Sequence, residues 1–478
     1  MYQDVLLHID GKWRAAASGK TLPIVNPASE DVIGSLACAG TGDLDEALAA
    51  AARGFAVWRK VSAYDRSKIM RKAAELVRAR REEIGRLMTQ EQGKPLAESL
   101  IEIATSADVI DWFAEEGRRA YGRMIPARAE GVYQLSVREP VGVVAGFTPW
   151  NFPMSQAVRK VSAALAAGCA FMLKGPEETP ASCAALVRAF VDAGLPDGVL
   201  SLVFGVPAEI SEYLIPHPIV RKISFTGSTV VGKHLAAMAG ANMKRATMEL
   251  GGHAPAIVFN DADLDAAVKG LSAAKFRNAG QVCVAPTRFL VQSEVYEPFV
   301  ERFTAAAAAI RLGNGLDPDT KMGPLANDRR VAAMEAFVGD AVQKGATVKT
   351  GGKRHGNKGY FFEPTVLTDI PADARVLHEE PFGPLALMMP FETFDQAMTE
   401  ANRLAYGLAS YAYTSAASTA AALGAGLESG MVTINHLGLA LPETPFGGVK
   451  DSGYGSEGGA EGLEPYMVTK FISQANLV

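Results

Sequence analysis

The chain has 478 residues, of which 48% are hydrophobic and 21% are charged, and its formal net charge is −5. This length and apolar content predict two or three globular domains, each able to bury a large core. The negative net charge and the lack of long basic runs argue against a general nucleic-acid-binding protein.

The cysteines and the apolar stretches exclude further classes of protein. The spacing of the four cysteines and seven histidines matches neither a disulfide framework nor a zinc motif. We therefore expect a reducing, cytoplasmic setting and no metal. The N-terminal segment has no basic stretch, so no signal peptide is predicted. The longest apolar stretch, about residues 161–173, is shorter than the ~18 residues that a membrane helix requires.

In chain order, residues 43–119 come first and are rich in Ala, Glu and Arg with helical periodicity. From Val141 onward, short apolar runs alternate with helical segments. The pattern predicts strands at 141–148, 169–174, 199–204 and 222–226, and helices at 155–167 and from Ser182. This alternation is typical of a parallel sheet with helices on both faces.

A second α/β series follows. The pattern predicts helices at 264–278 and from Tyr296, and strands at 255–259, 286–291, 361–367, 385–390 and 431–435. Two segments fit neither series: residues 122–138 predict a protruding hairpin, and residues 466–473 predict a lone strand. Each needs a partner from another element or another subunit, because an open strand edge invites pairing. We therefore expect a homodimer or homotetramer.

Cys283 and Glu249 are the leading candidates for chemistry. Cys283 follows Gly280-Gln-Val, a loop whose backbone N–H groups could stabilise a thiolate and later an oxyanion. A thiolate can add to an aldehyde, and a carboxylate can deliver water to the resulting thioester. The alternative is a buried, inert cysteine, which is how we interpret the other three.

Other candidates follow predicted strands, where open α/β sheets bind ligands. Asn151, in Pro149-Trp-Asn-Phe-Pro153, could donate to an oxyanion or simply cap a turn. Lys174 and Glu177 could hold the two hydroxyls of a ribose, or form a solvated charge pair. The Gly-rich turn of 225–233 opens a helix and suits a pyrophosphate, although by itself it is a weak signal.

Taken together, these motifs resemble the aldehyde dehydrogenase superfamily over nearly the whole chain. PWNFP, FTGSTxxG, ELGG, GQxC, EEPFGP and PFGGVKxSG occur in the family's order. The resemblance implies an α/β fold with a Rossmann-like NAD-binding domain (1–120 and 141–251) and an α/β catalytic domain (252–451). It further implies a β-hairpin oligomerisation arm (121–140 and 460–478).

The resemblance also implies roles for individual residues. Cys283 would be the nucleophile, Asn151 and the Cys283 amide the oxyanion hole, and Glu249 the base for deacylation. The residues expected at the cofactor are Trp150, Lys174, Glu177, Gly227, Ser228, Gly232, Glu380 and Phe382. NAD is expected over NADP, because the Glu177 carboxylate accepts a ribose hydroxyl and repels a 2′-phosphate.

The substrate is expected from two arginines. Arg159 and Arg277 match those that bind the substrate carboxylate in succinate-semialdehyde dehydrogenases, the relatives that the chain most resembles. The alternative for Arg159 is an arginine that solvates a helix face. The serine that those enzymes carry before PFGG is absent, with Ala440 and Leu441 in that region. The expected function is NAD-dependent oxidation of succinate semialdehyde to succinate. The alternatives are another small or hydroxylated aldehyde, or a thiol esterase without redox activity.

Overall fold

The computed structural model describes residues 2–475. The helices are α1 (Thr41–Trp58), α2 (Ala63–Ala79), α3 (Arg81–Gln92), α4 (Leu96–Glu116), α5 (Pro153–Ala167), α6 (Pro180–Asp192), α7 (Pro207–Leu214), α8 (Thr229–Ala241), α9 (Leu264–Phe276), α10 (Ser293–Ala308), α11 (Asp328–Lys344), α12 (Phe394–Asn402) and α13 (Ala417–Gly426).

The strands come from all parts of the chain. They are β1 (Leu7–Ile9), β2 (Lys12–Arg14), β3 (Thr21–Val25), β4 (Val32–Ala37), β5 (Arg123–Ile125), β6 (Val132–Pro140), β7 (Val143–Phe147), β8 (Ala170–Lys174), β9 (Leu200–Val203), β10 (Val220–Thr226), β11 (Arg245–Glu249), β12 (Ala254–Val258), β13 (Pro286–Gln292), β14 (Thr347–Thr350), β15 (Thr365–Thr368), β16 (Leu385–Phe391), β17 (Tyr406–Gly407), β18 (Ala409–Tyr413), β19 (Met431–Ile434), β20 (Val449–Lys450), β21 (Gly453–Tyr454) and β22 (Met467–Ala475).

The first large sheet has the order β2-β1-β9-β8-β7-β10-β11-β21. Its five central strands are parallel, and antiparallel strands close both edges. Strands β7 and β8 are buried along their whole length, as expected for a parallel sheet covered by helices. Helix α5 begins with Pro153 in its first turn and ends at Gly168, whose φ of 94° forms a left-handed cap.

The second large sheet has the order β14-β15-β16-β13-β12-β18-β19. All its pairings are parallel except that of β14 with β15. Each large sheet packs against its own hydrophobic cluster. The α/β prediction is therefore confirmed, while the predicted domain boundaries stay a prediction.

A third sheet, β22-β6-β5, contains the predicted hairpin. The predicted C-terminal strand is not alone: it pairs with β6 from Met467 opposite Pro140 to Ala475 opposite Val132. Its partner therefore comes from the same chain.

Two predicted elements differ from the structure. Helix α9 ends at Phe276, because Asn278 and Ala279 have left-handed backbone angles with φ of 49° and 53°. The strand predicted at 361–367 begins only at Thr365, directly after a proline. No helix among residues 2–475 is both long enough and apolar enough to cross a membrane.

Candidate active site

Four neighbouring strands of the first sheet deliver polar groups to one edge. The strands lie in the order β8-β7-β10-β11, and three of them end at Lys174, Thr226 and Glu249. The loop of Asn151 follows the fourth, β7. Because the carboxyl ends of parallel strands meet at one edge, these residues share the edge where α/β sheets bind ligands.

The opposite edge of the site comes from the second sheet. Cys283 lies just before β13 and Glu380 just before β16, which are neighbouring parallel strands. Gly252 joins the two loops: its N–H donates to Oε1 of Glu380 over 3.1 Å. A Cβ on Gly252 would lie 2.6 Å from the Cys283 carbonyl oxygen, so no side chain fits at this position.

A cavity of about 530 Å³ separates the two edges. The predicted site residues that line it are Trp150, Asn151, Gly227, Ser228, Cys283, Glu380 and Phe382. Six other predicted site residues do not line the cavity: Glu249, Lys174, Glu177, Gly232, Arg159 and Arg277. The structure thus brings Cys283 and Asn151, the candidate nucleophile and the candidate oxyanion donor, into one cavity.

Asn151 faces the cavity from a buried loop. Its Nδ2 donates to the Gln281 carbonyl over 3.0 Å, while its Oδ1 is buried and has no partner among the described residues. An amide nitrogen carries two N–H groups, so one remains for an incoming oxygen.

Polar residues that are buried or, for Glu98, half-buried fix this loop, and we call Gln92, Lys94, Glu98, Glu102 and Asn278 the Lys94 network. The Asn151 carbonyl accepts from Lys94 Nζ over 2.7 Å and from Asn278 Nδ2 over 2.9 Å. Lys94 also forms a 2.7 Å ion pair with Glu102, and both side chains are almost fully buried. Oε1 of Glu102 accepts from the first-turn N–H groups of α5.

The same network holds the loop of Cys283. The Asn278 N–H donates to Glu98 over 2.9 Å, and its Oδ1 accepts from Gln92 over 2.7 Å. Asn tolerates the left-handed conformation that Asn278 adopts better than most residues do. Residues from α3, α4 and the turn between them therefore set the position of both Asn151 and Cys283.

The environment of Cys283 keeps its thiol protonated. Burial raises the pKa of Cys283 to about 12, and the negative charges of Glu380 and Glu249 act in the same direction. A hydrogen bond from the Val284 N–H and the positive charge of Arg277 lower the pKa and only partly oppose this. The thiol therefore needs a base before it can act as a nucleophile.

Glu249 can be that base, because neither of its buried carboxylate oxygens has a partner among residues 2–475. Burial and the charge of Glu457 raise the pKa of Glu249 well above its ordinary value, while Lys160 and Arg159 lower it. Lys160 is itself paired with Glu457 and donates to Thr226 over 2.6 Å.

Glu380 accepts a hydrogen bond from the Gly252 N–H and feels the positive charges of Arg330 and Lys275. Burial raises the pKa of Glu380 to about 7, against the hydrogen bond from Gly252 and the charges of Arg330 and Lys275. Arg330 also donates to the Phe382 carbonyl over 3.1 Å. The ring of Phe382 meets that of Trp150 edge to face, with centroids 5.7 Å apart. Two aromatic rings and a carboxylate thus form one wall of the cavity.

The groups predicted to bind a nucleotide lie along the first sheet. Lys174 Nζ donates to Glu177, and because Lys174 is buried this pair is not the solvated charge pair that was the alternative to ribose binding. Ser228 precedes α8 and leaves the N-terminus of this helix without a side-chain cap. Gly232 lies in the first turn, where its N–H donates to the Ser228 carbonyl over 2.9 Å. A helix N-terminus without a cap at the cavity suits an anion such as a pyrophosphate.

The two predicted substrate arginines differ in their surroundings. Arg159 is 6% exposed, so it does not solvate a helix face. It donates to the Glu457 and Ala440 carbonyls over 2.9 and 2.8 Å and stacks on Phe446. Arg277 is exposed, and its guanidinium lies 5.2 Å from the centroid of the Phe152 ring. Arg277 is the freer of the two.

The sequence interpretation missed the Lys94 network, Lys160, Glu457 and Gln156, a buried side chain that also lines the cavity. Lys160 could have been found in the sequence, because it is a charged residue inside the Ala-rich helix α5. For Lys94 and Glu102, which are eight residues apart, no local pattern indicates that they pair.

These features define a class of enzyme. A thiol and an unpartnered carboxylate lie beside a cleft between two α/β sheets, and Ser228 at the uncapped N-terminus of α8 lines this cleft. The chain belongs to the aldehyde dehydrogenase family, whose sequence profile matches residues 13–472. The sequence prediction of this family is therefore confirmed, and the chain is an aldehyde dehydrogenase.

Similar proteins come from several branches of the family. The chain is 46% identical to 4-(hydroxymethyl)benzenesulfonate dehydrogenase TsaD1 of Comamonas testosteroni, over 99% of this chain and 98% of that one. It is 44% identical to 3-sulfolactaldehyde dehydrogenase of Pseudomonas putida, over 97% and 96%. The crystal structure of succinate-semialdehyde dehydrogenase from Burkholderia pseudomallei is 43% identical, with a TM-score of 0.97 over 99% and 98%. This likeness confirms the predicted aldehyde dehydrogenase fold.

Proposed function

We propose that the enzyme oxidises a small anionic aldehyde, such as succinate semialdehyde, to the carboxylate with NAD. One observation carries the chemistry: Glu249 keeps both carboxylate oxygens unpartnered and lies close enough to Cys283 for its charge to raise the thiol pKa. This pairing supplies a nucleophile and a base beside one cavity.

The steps follow from these groups. Glu249 takes the thiol proton as the Cys283 sulfur bonds to the aldehyde carbon, and the oxygen becomes an alkoxide that Asn151 Nδ2 and the Cys283 N–H stabilise. Loss of a hydride from that carbon leaves a thioester. Glu249 then releases the thiol proton to solvent and deprotonates a water that adds to the thioester. The carbon–sulfur bond breaks, the carboxylate leaves, and the Cys283 sulfur recovers a proton from Glu249.

A nicotinamide dinucleotide supplies the hydride acceptor when it is bound. The chain's residues fit such a group: Ser228 and the N-terminus of α8 suit the pyrophosphate, and Glu380 suits a ribose. Glu177 favours NAD over NADP, because its carboxylate would face a 2′-phosphate with like charge. Glu177→Ser should therefore lower the ratio of kcat/KM with NAD to kcat/KM with NADP.

The anionic end of the substrate is assigned to the two arginines. Arg277 can offer its guanidinium to a carboxylate or sulfonate, while Arg159 contributes positive charge from a fixed position. Two of the similar proteins carry a sulfonate in their names and another a succinate semialdehyde. All three names therefore describe anions, which supports this assignment.

A comparison of aldehydes tests the proposal. The purified protein with NAD should form NADH faster, by kcat/KM, from succinate semialdehyde than from an uncharged aldehyde of equal length. Arg277→Gln should remove most of this preference, whereas Arg86→Gln, an exposed arginine on α3, should keep it. Equal rates for charged and neutral aldehydes would contradict the anionic substrate, and no NADH from any aldehyde would contradict the whole proposal.

We also propose that the arm sheet (β5, β6 and β22) joins copies of the chain into a homodimer or homotetramer. Its large apolar side chains are exposed: Met124 by 73%, Tyr133 by 52% and Phe471 by 60%. Exposed apolar groups beside open strand edges favour association. Light scattering should show smaller particles for Tyr133→Ser with Phe471→Ser, but not for Val57→Ser, an equally exposed control on α1.

A further inference from the structure

We propose that Gln156 forms a subsite for a hydroxyl group on the carbon next to the aldehyde, so that the enzyme prefers α-hydroxyaldehydes. This inference rests on the proposed function and specifies its substrate class. The observation behind it is a buried amide without a partner: Gln156 is 6% exposed and lines the same cavity as Asn151 and Cys283. Its Oε1 finds no hydrogen-bond partner among residues 2–475.

An unpartnered amide oxygen of this kind requires an explanation. Buried polar atoms nearly always have hydrogen-bond partners in folded proteins, because burial removes their hydrogen bonds to water and an unreplaced bond costs stability. Thr226, which lines the same cavity, is already engaged by Lys160. The Gln156 amide therefore presents hydrogen-bonding capacity to whatever occupies the cavity.

The position of Gln156 points to the substrate. Gln156 and Arg159 are three residues apart on α5 and share one face of this helix, and Phe152 is the residue that caps its N-terminus. Phe152 lies under the guanidinium of Arg277. Gln156 shares the cavity lining with Cys283 and a helix face with Arg159, so we place its amide beside the part of the substrate that follows the aldehyde carbon.

A hydroxyl matches this amide better than other groups do. Oε1 accepts and Nε2 donates, and a hydroxyl can donate to the first and accept from the second. A methylene leaves Oε1 unpartnered, and a carboxylate or sulfonate places negative oxygen against it. The subsite therefore selects for the hydroxyl and against its absence.

The test replaces the amide with a side chain of similar size and compares matched aldehydes. The pairs are lactaldehyde with propanal, and succinate semialdehyde with its α-hydroxy derivative. For the wild type, kcat/KM should be higher for the hydroxylated member by roughly tenfold or more. Gln156→Met should bring this ratio close to unity and leave the KM for NAD unchanged. Ser155→Ala, a neighbour on α5 that does not line the cavity, should keep the wild-type ratio.

Two results would overturn the inference. An unchanged ratio in Gln156→Met would show that the amide does not recognise the substrate. A raised KM for NAD with all aldehydes alike would assign the amide to the nicotinamide. Calorimetry of lactate and propanoate, the acids of the first pair, needs no turnover: the wild type should bind lactate more tightly, and Gln156→Met should not. This binding measurement tests whether Gln156 recognises the hydroxyl even if the proposed oxidation fails. Equal binding of both acids by the wild type would overturn the subsite.

Discussion

The Lys94 network and the cavity share the loop of Asn151, yet their buried polar groups are arranged in opposite ways. In the network, Lys94 and Glu102 are hydrogen-bonded to each other and to the backbone of the neighbouring loop and helix. In the cavity region, Asn151, Gln156 and Glu249 each carry a buried oxygen without a partner among the described residues.

The difference separates residues that hold the site from residues that meet the ligands. A buried network in which every polar group is hydrogen-bonded fixes the positions of its residues. Removal of one member leaves its partners buried without a hydrogen bond. An unsatisfied group costs stability in the empty protein and becomes useful only when a ligand supplies the missing bond. The four predictions below test this division, from the largest expected effect to the smallest.

The nucleophile should show the largest effect. Cys283→Ser should lower kcat for aldehyde oxidation by at least about a thousandfold, because an alcohol is a much weaker nucleophile than a thiolate. NADH formation measures it. Cys169→Ala, a buried cysteine bonded to the Tyr466 carbonyl, is the control and should remain active. A comparable loss of kcat in both variants would show that the substitutions disturb folding rather than the chemical step.

The base should come second. Glu249→Gln should lower both the rate of the first turnover of NADH formation and kcat by ~10²–10⁴-fold, because the Cys283 thiol and the water that attacks the thioester both lack a proton acceptor. In the wild type, kcat should fall as the pH drops through the raised pKa of Glu249, since the protonated acid cannot accept a proton. The variant should lack this acidic limb. Stopped-flow kinetics across pH measure both rates, and a first turnover as fast as that of the wild type would contradict the role of Glu249 as the base for the thiol.

The network should affect both stability and rate. Lys94→Met leaves Glu102 buried without its cation and should lower the free energy of unfolding by about 3–5 kcal/mol. It should also lower kcat, because the Asn151 carbonyl loses a donor. Denaturant titration and kinetics measure these effects. Lys68→Met, which breaks an exposed pair with Asp65, should change little. Lys94→Arg should have a higher kcat than Lys94→Met. If Lys94→Met is destabilised but keeps the wild-type kcat, the network stabilises the fold without positioning Asn151.

The thiol environment should give the smallest effect. Without cofactor, alkylation of Cys283 by iodoacetamide should accelerate about tenfold per pH unit from about pH 7 to about pH 9, because only the thiolate reacts and its pKa is about 12. Glu380→Gln removes a negative charge that is present above its own pKa of about 7, so it should lower the thiol pKa and speed alkylation. A rate that levels off near pH 8 in the wild type would contradict the buried environment.

The two regions also differ in how far the sequence predicts them. Asn151, Cys283 and Glu380 stand in short motifs at strand ends, so the sequence predicts them and the structure places them at one cavity. Lys94 and Asn278 were missed because their partners are distant in sequence, and tertiary packing alone pairs them. The early end of α9 was missed for a related reason, since Glu98 and Gln92 stabilise the left-handed Asn278.

Strand β21 has a consequence for how the protein is made. It pairs Gly453 with Glu249 and Tyr454 with Met248, so it completes the first sheet next to the carboxylate that we propose as the base. During synthesis from the N-terminus, the ribosome must therefore release almost the whole chain before this sheet can close. Nascent chains that lack this segment expose the β11 edge, and a truncated product would be a target for chaperones.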